Sequence, residues 1–326
     1  MQKTYYDFNA LKVLREKRPL LICDDAFDSF GIELPCEFVR FSGFRPNPLY
    51  EDARAGAKIL RKAKCDFIVA IGGGSSIDTA KSIKYYNRVD LPFMAIPTTS
   101  GTGSEATHFA VIYKNGEKHS IANKRLLPDY VVLQPEMLKT LPDYQRKCTM
   151  LDALCQSIES WWSKKATPES KKYSRKAIRL ILDNMDSYLN NEDEGNRNML
   201  IASNLAGKAI NITTTTAPHA MSYKLTSLFG LPHGHAVAIC LPKVWRYMGN
   251  FDYIARALGR KDHEDAIEFF EDMLREMEIS PPGNVSADEF DALINSVNIQ
   301  RLQNNPVWLN KTTISAIYKE VLEIER

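Results

Sequence analysis

Several features that would direct a first reading are missing from the 326-residue sequence. No apolar run approaches the roughly eighteen residues needed to cross a bilayer, which argues against a membrane protein. The opening MQKTYYDFNALKVLREKRP has no apolar centre of signal-peptide type and reads as mature protein. Charge of one sign is also absent. With 42 basic against 40 acidic residues, no overall field draws nucleic acid or an anionic membrane. An acidic substrate would have to meet a local cluster of cations. The six cysteines include no Cys-x-x-Cys pair. Contexts such as LLICDD, KCDFIV and AICLP suit small buried hydrophobes better than disulfides or zinc ligands. The expectation is a reduced, cytoplasmic, globular protein.

What is present divides in two. Over the first 140 or so residues, PLLICDD, CEFVRF, CDFIVAIGGG, LPFMAIPTT and YVVLQP read as short strands. Helical patterns such as LYEDARAGAKILRKA and SSIDTAKSIKYYN separate several of them. Strands alternating with helices predict a parallel α/β sheet. Beyond Leu141-Pro142 the segments QRKCTMLDALCQSIESWWS, SKKYSRKAIRLILDNMDSYL, GNRNMLIASNLAGKAINI and HEDAIEFFEDMLREMEI read as helices. The expected division is an α/β domain over 1–144 and an all-helical domain over 145–326.

Two loops in the first half suit a nucleotide. FIVAIGGGSSIDTAKSI places Gly72, Gly73, Gly74 and Ser75 between a buried strand and a helix, where free N–H groups favour an anion. A bare triple glycine also serves as a tight turn and is not the GxGxxG fingerprint. The second loop, AIPTTSGTGSEAT, ends another strand in hydroxyls and glycines. Two such loops at carboxyl strand ends suit the ligand crevice of an open α/β sheet.

In the second half, Asp152 and Gln156 are four apart in TMLDALCQSIES and share a helix face. APHAMSYKLTSLFGLPHGHAVA carries His219 and Tyr223 in the same relation, then His233 beyond Gly230-Leu231-Pro232. One carboxylate and two imidazoles suit a divalent metal with room for a substrate oxygen. Each also has an ordinary use, as a surface carboxylate or a loop imidazole bonded to backbone.

Taken in order, GGGSSIDTAK, PTTSGTGSEAT, DALCQSIES and PHA…GLPHG resemble the signatures of the iron-containing (group III) alcohol dehydrogenases. The likeness runs to NNPVWLNKTTISAIYKEVL near the end. It implies a Rossmann-like dinucleotide-binding domain, a helical metal-binding domain, and a nicotinamide cofactor in the cleft between them. By that resemblance Gly72, Gly73, Gly74 and Ser75 hold the pyrophosphate with Asp78 nearby, while Thr98, Thr99, Thr102 and Ser104 line the cofactor. Lys118 lies by the ribose and nicotinamide. Asp24 lies by the adenine ribose, where a carboxylate disfavours a 2′-phosphate and so favours NAD(H), with NADP(H) the alternative.

Asp152, His219 and His233 match three family metal ligands; Gln156 stands where a fourth, a histidine, is usual. Tyr223 replaces a further family histidine near the nicotinamide. An amide is a poorer ligand than imidazole, so Fe²⁺ and Zn²⁺ both stay open, as does a three-ligand site like that of glycerol dehydrogenases. Within the family the metal segments look most like phosphonoacetaldehyde reductases (2-hydroxyethylphosphonate dehydrogenases). Lys118, Lys208, Lys224, Arg146 and Lys147 are the cations on hand for a phosphonate, though each reads first as a solvated charge.

The expected reaction is hydride transfer to a small aldehyde, with Tyr223, His235 or the cofactor ribose passing on the proton. His235 otherwise reads as an exposed loop imidazole. The alternatives are a general aldehyde or alcohol dehydrogenase, a glycerol dehydrogenase- or dehydroquinate synthase-like enzyme, and a non-catalytic nucleotide-binding protein. Dimers are usual for the family.

Overall fold

The computed structural model describes residues 2–88, 90–115 and 117–324, apart from the side chains of Asn87, Glu117, Lys118 and Arg301. The chain divides into two compact units. One is Met1–Leu141 with Asp186–Gly207; the other is Pro142–Met185 with Lys208–Arg326.

The first unit holds strands β1 (Lys3–Tyr5), β2 (Pro19–Ile22), β3 (Val39–Phe41), β4 (Phe67–Gly72), β5 (Phe93–Pro97), β6 (Phe109–Lys114), β7 (Glu117–Ala122) and β8 (Tyr130–Val132), with helices α1 (Tyr50–Lys62) and α2 (Gly74–Asn87). Six strands pair in parallel in the order β1-β8-β5-β4-β2-β3. The five expected strands are β2, β3, β4, β5 and β8. Edge strand β1 and the antiparallel hairpin β6–β7 were not foreseen.

Every residue of β2 and β4 is buried, which is why they read as unbroken apolar runs. Residue parity decides which face each side chain meets. Leu20, Ile68, Ala70, Phe93 and Ala95 pack with Ala53, Ala57 and Leu60 of α1 and Ile77, Ala80 and Ile83 of α2. Their neighbours Leu21, Phe67, Val69, Ile71 and Met94 pack on the other face against the turn carrying Ala10, Leu11 and Leu14. On α1 the buried Ala53, Gly56, Ala57 and Leu60 fall at helical spacing.

Helices follow: α3 (Asp143–Trp162), α4 (Pro168–Leu189), α5 (Asp193–Thr213), α6 (Ala217–Phe229), α7 (His233–Met248), α8 (Asp252–Ala257), α9 (His263–Glu276), α10 (Ala287–Ser296), α11 (Ile299–Leu302) and α12 (Lys311–Val321). The last turn of α4 and most of α5 belong to the first unit. In the second unit α7 packs against α3, α6, α9 and α12. Helix α6 has Pro218 in its first turn, where no intrahelical N–H is needed, and stops at Gly230 with φ 68°. Pro232 then starts α7.

No described helix is long and apolar enough to cross a membrane. The six cysteines are unbonded and five are buried, the hydrophobic use expected of them.

Candidate metal and cofactor sites

The expected metal ligands all lie in the second unit. On α3, Asp152 and Gln156 are both buried; on α6, His219 is buried and Tyr223 is half-buried. His233 is the first residue of α7, so the Gly230 turn carries it back beside α6. One ligand atom each from Asp152, His219 and His233 lies within 4.8 Å of the others. The sequence spacing therefore does close into a cluster. Tyr223 stacks flat on the His233 imidazole, with centroids 5.7 Å apart and planes 4° apart. Gln156 donates its side-chain N–H to Asp152 Oδ1 at 3.1 Å. In this conformation the amide orients the carboxylate.

The cluster fits a cation. His219 Nε2 makes no hydrogen bond, yet lies 3.3 Å from Asp152 Oδ1. His219 Nδ1 meets the Glu159 carboxylate on the other side. If Nδ1 carries the proton, Nε2 and the Asp152 oxygen face each other as two acceptors, a pairing that a positive charge resolves. The local field agrees. Burial lowers the His219 pKa, but Glu159 and Asp152 outweigh it and push it up to about 9. Burial likewise opposes ionisation of Asp152, but the adjacent His219 and His233 rings hold its carboxyl below the ordinary range.

Glu159 was not singled out in the sequence. It sits three residues after Gln156 and seven after Asp152, on the same face of α3. The carboxyl is wholly buried, and its Oε2 accepts from Thr216 N and Oγ1, both at 2.7 Å. Trp162 Nε1 donates to Thr216 Oγ1 at 2.8 Å and completes the chain.

His235 is a correction: it is buried, not an exposed loop residue. Its Nδ1 pairs with Tyr144 Oη and its Nε2 with Ser280 O, both at 2.7 Å, so neither nitrogen is open to relay a proton. Two expected surface cations also differ. Arg146 is completely buried and Lys147 Nζ donates to Met277 O at 3.2 Å. Lys208 and Lys224 are half-buried. The Lys118 side chain lies outside the described residues.

The expected cofactor residues lie in the first unit. Gly73 is the N-cap of α2 and, as glycine, offers no side-chain oxygen to the helix's first N–H groups. A Cβ on Gly73 would lie 3.2 Å from Thr99 Cγ2, and one on Gly74 3.0 Å from Thr102 Cγ2. Gly72 has φ 149°, a backbone state for glycine. The glycines thus let the Thr99–Thr102 loop lie against the helix start, with Thr98 N bonded to Gly72 O at 3.1 Å. The N–H groups at this helix start can meet an anion, so the loops fit a pyrophosphate. Ser75 Oγ accepts from Asn47 N at 3.3 Å.

Asp78 and Ser104 serve the fold in a way the motif did not show. Ser104 Oγ donates to Asp78 at 2.6 Å, and Asp78 also accepts from Val111 N at 2.9 Å. Beside them the fully buried Lys81 Nζ reaches Ser104 O (2.6 Å), Ser104 Oγ (3.0 Å), Thr107 Oγ1 (3.0 Å) and Phe109 O (2.8 Å). Asp24, two residues past β2, is exposed and accepts from Ala26 N at 3.0 Å.

Residues 8–135 match the family model for iron-containing alcohol dehydrogenase, and residues 147–322 match the C-terminal model of the Fe-containing alcohol dehydrogenase family. Alcohol dehydrogenase 4 of Schizosaccharomyces pombe is 30% identical over 315 residues, covering 86% of this chain and 75% of that protein. The phosphonoacetaldehyde reductase of Streptomyces viridochromogenes is 29% identical over 320 residues, covering 84% and 81%. Among solved structures, sulfoacetaldehyde reductase from Bifidobacterium kashiwanohense in complex with NAD+ superposes with TM-score 0.91 at 25% identity, covering 99% of this chain and 98% of that one. With both of its halves matched, the chain belongs to the iron-containing alcohol dehydrogenase family and is an NAD-linked alcohol or aldehyde dehydrogenase.

Proposed function

We propose that the chain is a metal-dependent, NADH-linked reductase of a small aldehyde with a tetrahedral anionic head, foremost phosphonoacetaldehyde, which it converts to 2-hydroxyethylphosphonate in the cytoplasm. The metal-dependent half rests on one observation: His219 Nε2 makes no hydrogen bond while standing 3.3 Å from Asp152 Oδ1. Bound there, iron or zinc supplies Lewis acidity to a carbonyl oxygen, and reduced nicotinamide supplies the hydride.

The chain's own residues do the rest. Asp152, His219 and His233 hold the metal as three protein ligands, the number usual where a fourth position receives substrate. Gln156 fixes the Asp152 carboxylate. With Nδ1 and Nε2 of His235 both engaged, Tyr223, flat against His233, and the cofactor ribose are the groups left to pass a proton between solvent and the product oxygen. The start of α2 and the Thr98–Ser104 loop hold the pyrophosphate. In this reading 1–144 binds cofactor and 145–326 binds metal and substrate.

The anionic head is supported by two relatives named for acetaldehydes bearing a phosphonate or a sulfonate. An uncharged aldehyde is the second reading. It is favoured by the inward placement of Arg146 and by Lys147 donating to backbone.

The test is kcat/KM with NADH for phosphonoacetaldehyde, sulfoacetaldehyde and propanal, at low and high salt, after chelation and after return of Zn²⁺ or Fe²⁺. The anionic substrates should lead and weaken as ionic strength rises, because screening shortens the reach of the pairing cations. Higher efficiency with propanal, or no salt dependence, makes the enzyme a general aldehyde reductase. His219→Ala and His233→Ala should abolish turnover with NADH binding intact. Turnover that survives chelation overturns the metal role.

A further inference from the structure

We infer that Glu159 is the positioning residue of the metal centre: it holds His219 in the tautomer that presents Nε2 to the metal. This rests on the metal reading above and adds a residue that touches neither metal nor substrate.

An imidazole binds a metal through whichever nitrogen lacks the proton, and the partner of its other nitrogen makes that choice. For His219 the choice is built in. Nε2 lies 3.3 Å from the Asp152 carboxylate in the cluster, and Nδ1 is hydrogen-bonded to Glu159 Oε1. A carboxylate only accepts, so Nδ1 must carry the hydrogen, and Nε2 is the nitrogen that gives up its proton when a metal binds.

The carboxylate is itself fixed. Glu159 is 0% exposed, and its second oxygen accepts from both the backbone N–H and the hydroxyl of Thr216, each at 2.7 Å. Thr216 is the N-cap of α6, three residues before His219. The Thr216 hydroxyl is in turn aimed by Trp162 Nε1 at 2.8 Å. One oxygen thus grips the start of α6 and the other grips the histidine one turn later. Buried negative charge is costly without such partners, and here three donors converge on it. The carboxylate also raises the basicity of the imidazole it holds, which strengthens the bond from Nε2.

The decisive comparison is Glu159→Gln against Thr216→Val, with Zn²⁺ affinity measured by competition with a chromophoric chelator. Glu159→Gln keeps the volume but loses the charge. It also turns an N–H toward either Thr216 or His219 Nδ1. It should weaken Zn²⁺ about 10- to 100-fold. Thr216→Val loosens the anchor of α6 and leaves the Glu159–His219 contact, so its loss should stay within a few fold. The Co²⁺-loaded proteins add a spectroscopic readout: visible bands should shift in Glu159→Gln and hold their wavelength in Thr216→Val. Equal losses in the two variants, or none in Glu159→Gln, overturn the inference.

A variant that does not fold leaves a direct measurement on the unaltered protein. Long-range ¹H–¹⁵N spectra of the Zn²⁺-loaded chain should show His219 Nδ1 protonated. A proton on Nε2 refutes the positioning role even if the metal binds. Wild-type protein that takes up neither Zn²⁺ nor Fe²⁺ refutes the metal reading as a whole.

Discussion

Gly234 approaches α3 so closely that a Cβ on it would lie 1.8 Å from the carbonyl oxygen of Cys148 and 3.0 Å from Asp152 Cβ. That contact seats the first turn of α7, and hence His233, beside the Asp152 carboxylate.

The first prediction follows. Gly→Ala within a helix is worth up to about 1 kcal/mol in propensity. Overpacking against a backbone carbonyl costs about 1–3 kcal/mol, and here it has no flexible side chain to yield. The clash wins. Gly234→Ala should lower Zn²⁺ affinity more than tenfold by pushing His233 off Asp152, with NADH affinity changed less than twofold. Unchanged Zn²⁺ affinity would mean that α7 does not set the His233 position.

The second concerns the amide at the fourth family position. Gln156 is buried on the metal face of α3, one turn beyond Asp152, and is bonded to it. Imidazole is the better donor for Fe²⁺ or Zn²⁺. Gln156→His should therefore raise Zn²⁺ affinity at least tenfold, read by isothermal titration, and should slow turnover if it closes the position substrate needs. A weaker site would show that the amide's hold on Asp152 matters more than a fourth ligand.

The candidate metal cluster was legible because its spacing is local: an Asp–Gln pair at helical spacing, and two histidines around a Gly-Leu-Pro turn. Glu159 was visible by the same logic, since 152, 156 and 159 form one helical stripe. What concealed it was its partner, sixty residues away on α6. Similarly, nothing in PTTSGTGSEAT says which hydroxyl faces outward; only the fold pairs Ser104 with Asp78. His235 was misplaced because α7 begins two residues before it, turning the ring toward Tyr144. The five central strands showed as apolar runs, whereas β1 is three partly exposed edge residues with no pattern to read. The β6–β7 hairpin did carry a signal in the sequence, the Asn115-Gly116 pair between FAVIYK and EKHSIA.

The third prediction is a pH effect. Burial drives the Lys81 ammonium down from 10.5 to about 8, against the pull of Asp78 and Glu105. Its folded pKa is below its unfolded one, so from pH 8 to 10.5 the unfolded chain holds more of this proton. Stability from this group therefore rises with pH across that window, by up to about 3 kcal/mol at 1.36 kcal/mol per unit. Lys81→Met lacks that rise, whatever its stability at pH 7. Urea unfolding of both proteins at pH 7.5 and 10 measures the difference between their trends. Parallel trends would mean that Lys81 stays charged throughout.

The last prediction concerns cofactor choice at the carboxyl end of β2. Asp24 and Asp25 lie there beside Arg40 of β3, whose guanidinium meets both Asp28 oxygens at 2.7 and 2.8 Å, donates to Asp24 O at 3.0 Å and stands 3.8 Å from Asp25. An arginine at such a strand end can welcome a 2′-phosphate, whereas an aspartate repels it. The two compete here. Asp28 already engages the guanidinium from both oxygens and the Asp25 carboxylate stands 3.8 Å away, so with Asp24 beside them this end of β2 is net negative. Each carboxylate–phosphate pair at 4 Å costs about 1 kcal/mol in water, roughly fivefold in affinity, and more where water is excluded. NADH should therefore be favoured over NADPH by about tenfold at low salt. Asp24→Ser should remove most of that preference. Adding Asp28→Asn should reverse it, because Arg40 then lacks its bidentate partner and can meet the phosphate. Dissociation constants from fluorescence titration with both cofactors read each step. Equal affinity for the two cofactors in the unaltered protein would place the adenine ribose away from Asp24.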